Sequence, residues 1–172
     1  MKLAVTNPNL TVVMPVGCNA SCKFCYWESN SGLTHSRFKF IADTLPNMFK
    51  QCSITGGEPT ISNELMSYVE IANSRFDKVV LNTNGYRLTK DIIEAVDHVN
   101  ISRHHYEDHK NEQVFGTNTV PSIETIREYC RYGDITLNCV LPDGFNNVSF
   151  VNNYISMGRD IVTGKQIGRA HV

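Results

Sequence analysis

Five short β-rich runs alternate with helical patterns along this 172-residue chain, and every second position in most of those runs is polar. The runs are Leu10–Val16, Cys52–Thr55, Lys78–Thr83, His98–Ser102 and Ile135–Leu141. Strands of a doubly covered parallel sheet are normally apolar on both faces. Here Ser53 and Thr55, Asn82 and Asn84, Asn100, Ser102 and His104, and Thr136 and Asn138 recur at period two, while Ile54, Leu81, Val99, Ile101, Ile135 and Leu137 take the alternate positions. One face is therefore expected to pack on helices and the other to meet a polar ligand or water.

The intervening segments carry helical stripes. Phe38, Ile41, Ala42, Leu45, Met48 and Phe49 form one, with Pro46 as a kink or break. Leu65, Val69, Ala72 and Phe76 form the next, with Thr60 or Ser62 as N-cap. Thr89 precedes a helix bearing Ile92, Ile93 and Val96. Ser122 opens another with Ile123, Ile126 and Cys130, and Gly133 is placed to end it. Val148, Val151 and Ile155 sketch a fifth, closed by Gly158. Five βα units in series imply an α/β fold with a parallel sheet and right-handed crossovers. A one-sided antiparallel sheet would also alternate, but the helices between strands disfavour it. A curved, barrel-like sheet with a polar interior accounts for the pattern, and chemistry then belongs at the C-terminal ends of the strands.

After the first run comes Cys18-Asn-Ala-Ser-Cys22-Lys-Phe-Cys25. Three thiolates at this spacing suit a metal centre and leave no obvious fourth ligand. A structural zinc site wants four, whereas an open centre keeps one position free. Thiolates are also the usual ligands of iron–sulfur clusters, and three of them can hold three irons of a [4Fe–4S] cube. A zinc site with a remote fourth ligand is the competing reading. The chain has six cysteines, and their clustering argues for metal and a reducing cytoplasm rather than a disulfide framework. A net charge of −1 gives no basic bias toward nucleic acid, and no apolar run reaches the about 18 residues of a membrane span. The N-terminus lacks the long apolar stretch of a signal peptide.

The cysteine run, with Phe24 just before its last member, resembles the signature of the radical S-adenosylmethionine (SAM) superfamily. Thr55-Gly56-Gly57-Glu58-Pro59 is similar to that family's GGEP motif, which holds the amino group of SAM; Glu58 supplies a carboxylate where an ammonium can bind. Asn82-Thr83-Asn84-Gly85 resembles the TNG segment of the subgroup with the molybdenum-cofactor cyclase, viperin and peptide-modifying enzymes. The resemblance implies a partial (β/α)6 TIM-like barrel, of which residues 1–160 would supply about five units. It implies that Cys18, Cys22 and Cys25 hold a [4Fe–4S] cluster with SAM on its open iron. Ser102 and Arg103 become candidates for the SAM ribose and carboxylate, and Asn138 and Val140 for ribose and adenine. Tyr26 and Trp27 follow the cysteines and are candidates to pack over cluster or adenine, with ordinary loop burial the equal alternative. Reductive cleavage of SAM to a 5′-deoxyadenosyl radical is the implied activity, on a small-molecule or peptide substrate, with a flavodoxin or ferredoxin as electron donor. A non-catalytic iron–sulfur or zinc module, or an inactive fragment, is the alternative.

His104-His105-Tyr106-Glu107-Asp108-His109 departs from the family pattern, which more often has a small or acidic residue after the strand-four serine. Such a segment can bind substrate or move protons near neutral pH, with His104 the candidate; a solvated loop is the bland reading. Cys52, Cys130 and Cys139 read as core thiols. Residues 161–172 form an aperiodic tail. Its end, Ile167-Gly168-Arg169-Ala170-His171-Val172, matches translation of a common sequencing adapter (ATC GGA AGA GCA CAC GTC). Residues 167–172 are therefore expected to be non-native, with the last barrel unit and any closing domain lost.

Overall fold

The computed structural model describes residues 8–27, 31–141 and 147–161. The adapter-like tail lies outside them. Strands β1 (Asn9–Val13), β2 (Gln51–Thr55), β3 (Lys78–Thr83), β4 (His98–Ser102) and β5 (Ile135–Asn138) form one sheet in sequential order. All four pairings are parallel. The sheet does not close on itself: β1 and β5 are its two edges. A half-barrel with its chain order intact is what consecutive crossovers produce.

Register explains the period-two pattern. Val12, Ile54, Leu81, Val99 and Ile135 align in one row across the sheet. The first four are at most 1% exposed. Each such side chain contributes roughly 1.5–3 kcal/mol by leaving water. Their row packs on helices α1 (His35–Thr44), α2 (Leu65–Arg75) and α3 (Lys90–Glu94) through Phe38, Ala42, Tyr68, Val69 and Ile93, which belong to the same buried core. One residue along, the opposite face carries Asn82, Asn100 and Thr136 in register, then Ser102 beside Asn138.

Several local expectations need correction. Ser62 and Thr60 do not cap α2: Glu64 holds that position with no side-chain bond, and the Ser62 hydroxyl accepts from the Glu64 N–H, two residues further on. Thr89 and Ser122 do cap their helices, accepting from Ile92 N–H and Thr125 N–H. Helix α5 (Ile123–Tyr129) stops at Cys130 rather than Gly133. Gly133 has another reason to lack a side chain, since a Cβ there would collide with Ile93. The segment after β4 is not a solvated loop. It contains helix α4 (Asp108–Phe115), ended by Gly116 in the left-handed region (φ 66°). Helix α6 (Val148–Ile161) runs through Gly158 and buries Phe150, Tyr154, Met157 and Ile161. Val148 is 77% exposed, so the stripe inferred from Val148, Val151 and Ile155 is rotated from the buried one. Aromatic residues bury more area than valines and set the helix's rotation.

Candidate metal and cofactor site

The loop from β1 to α1 carries the three cysteines, and backbone contacts with the end of β2 fix where it starts. Met14 N–H donates to Thr55 O at 2.7 Å, and Glu58 N–H donates to Gly17 O at 2.9 Å. A Cβ on Gly57 would collide with the Gly17 carbonyl, and one on Gly56 would lie 2.9 Å from Met14 O. The two glycines are therefore needed for close approach of two backbones. Trp27 closes the loop's base: its indole N–H donates to Val16 O at 3.3 Å. This contact agrees with ordinary burial of Trp27 in the loop. Tyr26 is 96% exposed.

Cys18 and Cys25 are exposed, Cys22 is half-buried, and all three are free thiols. Backbone N–H groups point at two of them: Ala20 N–H to Cys18 Sγ and Trp27 N–H to Cys25 Sγ, both at 3.4 Å. Burial, with the charges of Cys25 and Cys18 acting in the same direction, pushes the Cys22 thiol up to about 11. Burial also raises Cys18, with Glu58 and Cys25 adding to it and the Ala20 N–H opposing. Three thiolates that repel one another, with N–H donors aimed at two of the sulfurs, form a set that a cationic centre would stabilise by displacing protons. Among the described residues no three His, Cys, Asp or Glu side chains converge to hold a single metal ion. Thiolates that each meet a different iron need no such convergence.

Glu58 is 1% exposed. Its Oε1 accepts from Thr60 N–H (3.0 Å), Thr60 Oγ1 (2.7 Å) and Thr83 Oγ1 (2.5 Å), and its Oε2 accepts from Asn84 N–H (2.5 Å). Burial raises its pKa, while the Thr83, Asn84 and Thr60 donors pull it back. The carboxylate thus ties the ends of β2 and β3 together and caps the single 3-10 turn Pro59–Ile61. A bond to a ligand ammonium would be additional to these four. Asn84 reaches the cysteine loop: its Nδ2 donates to Asn19 Oδ1 at 2.8 Å. The Gly-Gly-Glu and Thr-Asn-Gly segments and the cysteines therefore meet at one end of the sheet.

Below that end, the concave polar face forms a groove of about 780 Å³, lined by Ser53, Asn100, Ser102, His104, Thr136 and Asn138 among others. Val140 and Cys139 also line it, so Cys139 is a groove residue rather than core; Cys52 is fully buried, and Cys130 is half-buried. Asn100, which lines the groove, donates through Nδ2 to Asn82 Oδ1 on the neighbouring strand at 2.9 Å.

Arg103 is not at the groove. Its side chain is completely buried and donates to Asp108 Oδ1 at 2.7 Å and to Pro121 O at 3.3 Å. Alternation along β4 is the reason: Ser102 and His104 line the groove, so Arg103 between them points the other way. His104 is 4% exposed, and its Nδ1 accepts the Val140 N–H at 3.1 Å. Burial lowers its pKa to about 4, so it is a neutral imidazole near neutral pH. Its ring lies against Phe115 (centroids 4.8 Å) and meets the edge of Phe24 at 4.9 Å. Asn111, which no sequence signal marked, is 2% exposed and accepts from His104 N–H and His105 N–H.

A family model, the Radical SAM superfamily, matches residues 12–154. The chain belongs to the radical SAM superfamily. Members of the superfamily bind a [4Fe–4S] cluster and SAM. The probable GTP 3′,8-cyclase of Sulfurisphaera tokodaii is 28% identical over 163 residues, covering 86% of this chain and 51% of the cyclase. A putative glycyl-radical enzyme activating enzyme of Methanocaldococcus jannaschii is 26% identical over 128 residues, covering 71% of this chain and 50% of that protein. The crystal structure of Streptococcus suis SuiB bound to S-adenosylmethionine superposes with a TM-score of 0.74 at 15% identity, over 97% of this chain and 44% of SuiB. The chain spans about half the length of these relatives. Its open five-stranded sheet is the partial barrel of a radical SAM core. Among the described residues no helix is long and apolar enough to cross a membrane.

Proposed function

We propose that Cys18, Cys22 and Cys25 hold a [4Fe–4S] cluster and that SAM binds between it and the C-terminal ends of the strands. The observation that carries this reading is the joining of the cysteine loop to Gly56, Gly57 and Glu58 by backbone contacts, with Asn84 bonded to Asn19 on its other side. Held by Cys18, Cys22 and Cys25, the cluster would supply the one-electron chemistry that cleaves SAM reductively and so provides for hydrogen abstraction from substrate. The protein's share is positioning. Gly56 and Gly57 let the loop sit close to the sheet. Glu58 holds the ends of β2 and β3 in place and is the candidate partner of the SAM ammonium. Ser102, Asn138 and the Val140 backbone edge the groove where ribose and adenine would lie, and His104, whose ring meets Phe24 of the cysteine loop, lines it.

The substrate is a small molecule or a peptide. Relatives named as GTP cyclases act on a nucleotide, and SuiB has been crystallised with a precursor peptide. The electron donor is a flavodoxin- or ferredoxin-type protein. Anaerobic reconstitution with iron and sulfide tests the cluster. Close to four irons per chain and broad absorbance near the blue edge of the visible are expected, both lost in Cys22→Ala. One zinc per chain, with no such absorbance, contradicts it.

A further inference from the structure

The first spacer of the cysteine run is tied to the end of α4 and the turn beyond it, and the second reaches α4 through His104. Ser21 N–H donates to Phe115 O, the last residue of α4, at 2.8 Å. Asn19 Nδ2 donates to Thr119 Oγ1 at 2.8 Å, just beyond that helix. Phe24 meets His104, whose ring stacks on Phe115. Gly116 lies so close that a Cβ there would collide with Ser21 Oγ. The helix is itself anchored. Asn111 accepts the His104 and His105 N–H groups, and Asp108 Oδ1 accepts both Arg103 Nη2 and Ile123 N–H.

We propose that the C-terminus of α4, Phe115–Gly116, is a positioning element for the cysteine loop: it sets the Asn19–Ser21 spacer, and through it the placement of Cys18 relative to Cys22, before any cluster binds. The proposal rests on the reading that these cysteines carry the cluster. Neither Phe115 nor Gly116 is placed to touch cluster or SAM; they act through Ser21. The α4 segment thus does for one side of the loop what Gly56 and Gly57 do for the other.

The test uses Gly116→Ala, Ser21→Ala and the double variant. Gly116→Ala adds the Cβ that meets the Ser21 hydroxyl, and the double variant removes that hydroxyl while keeping any left-handed strain at 116. Amide exchange at residue 21 is read in the apo protein, and iron retention under chelator with the EPR signal of the reduced cluster in the reconstituted one. Gly116→Ala should speed exchange at residue 21 and iron loss each by about tenfold, the scale of one lost hydrogen bond. The double variant should return both to the Ser21→Ala values. Thr119→Val, which removes the Asn19 tie, should move the same readouts by about threefold in a chain of unaltered core. Unchanged exchange in both Gly116→Ala and Thr119→Val, or no rescue in the double variant, overturns the proposal. If no cluster assembles in any variant, the function reading fails, and the apo exchange data still decide this one.

Discussion

The backbone N–H of Glu58 donates to the carbonyl of Gly17, the residue before the first cysteine, at 2.9 Å. This bond joins the turn after β2 to the metal loop after β1, so the two motifs are one structural unit. Its closeness depends on Gly57, whose missing side chain leaves room for Gly17.

Gly57→Ala should therefore act at a distance from its own position. The new methyl meets backbone, which cannot swing away, and overpacking of this kind costs about 1–3 kcal/mol. Iron content after reconstitution should fall by more than half while far-ultraviolet circular dichroism is retained. Full iron loading would show that the loop does not need this contact.

Glu58→Gln keeps the shape of the buried carboxylate but sets an amide N–H against one of its donors, Thr83 or Thr60 on one side or Asn84 on the other. Leaving a buried donor without an acceptor costs about 1–3 kcal/mol. Urea unfolding of the apo protein should show that loss, and Glu58→Ala a larger one. A purely ligand-binding glutamate would leave apo stability unchanged.

Acid should destabilise the apo fold through His104. Its pKa is lowered by burial from the ordinary 6.5 to about 4. The unfolded chain therefore binds a proton between those values that the folded chain refuses. The stability is fully present above pH 6.5 and is lost as pH falls to 4, about 3 kcal/mol in all. Urea midpoints at pH 7 and pH 4.5 measure it. His104→Phe keeps an aromatic ring and should flatten the slope by most of that amount; an unchanged slope would place the effect elsewhere.

Helix α6 offers a test of side-chain register. Phe150 is 5% exposed and packs with Tyr154, whose hydroxyl donates to Arg103 O at 2.8 Å. Phe150→Ala should cost about 3–5 kcal/mol, whereas Val148→Ala should stay within about 0.5 kcal/mol. Thermal unfolding of the two variants gives the comparison, and equal losses would favour the other helix face.

Much of this architecture is legible in the residues, and the exceptions have causes. The period-two rows were readable because a parallel sheet holds neighbouring strands in register, so Asn82, Asn100 and Thr136 align across it. The cysteine run and Gly56-Gly57 stood out because their spacing and their small size serve local geometry. Arg103 misled because adjacency to Ser102 says nothing about which face a strand residue takes until the register is known. The structural role of Glu58 was not legible because two of its partners, Thr83 and Asn84, are 25 and 26 residues away. Helix α4 was missed because its stripe is thin: only Asn111 and Phe115 are buried, and one of them is polar. Its dependence on Arg103 and the β4 backbone is tertiary, and no local pattern announces it.

In the proposed function the site directs electrons into SAM. Anaerobically reconstituted protein mixed with SAM and dithionite, without any substrate, should release 5′-deoxyadenosine and methionine, and Cys22→Ala should release neither. A fully assembled [4Fe–4S] cluster that binds SAM yet yields no 5′-deoxyadenosine under reduction would contradict the account.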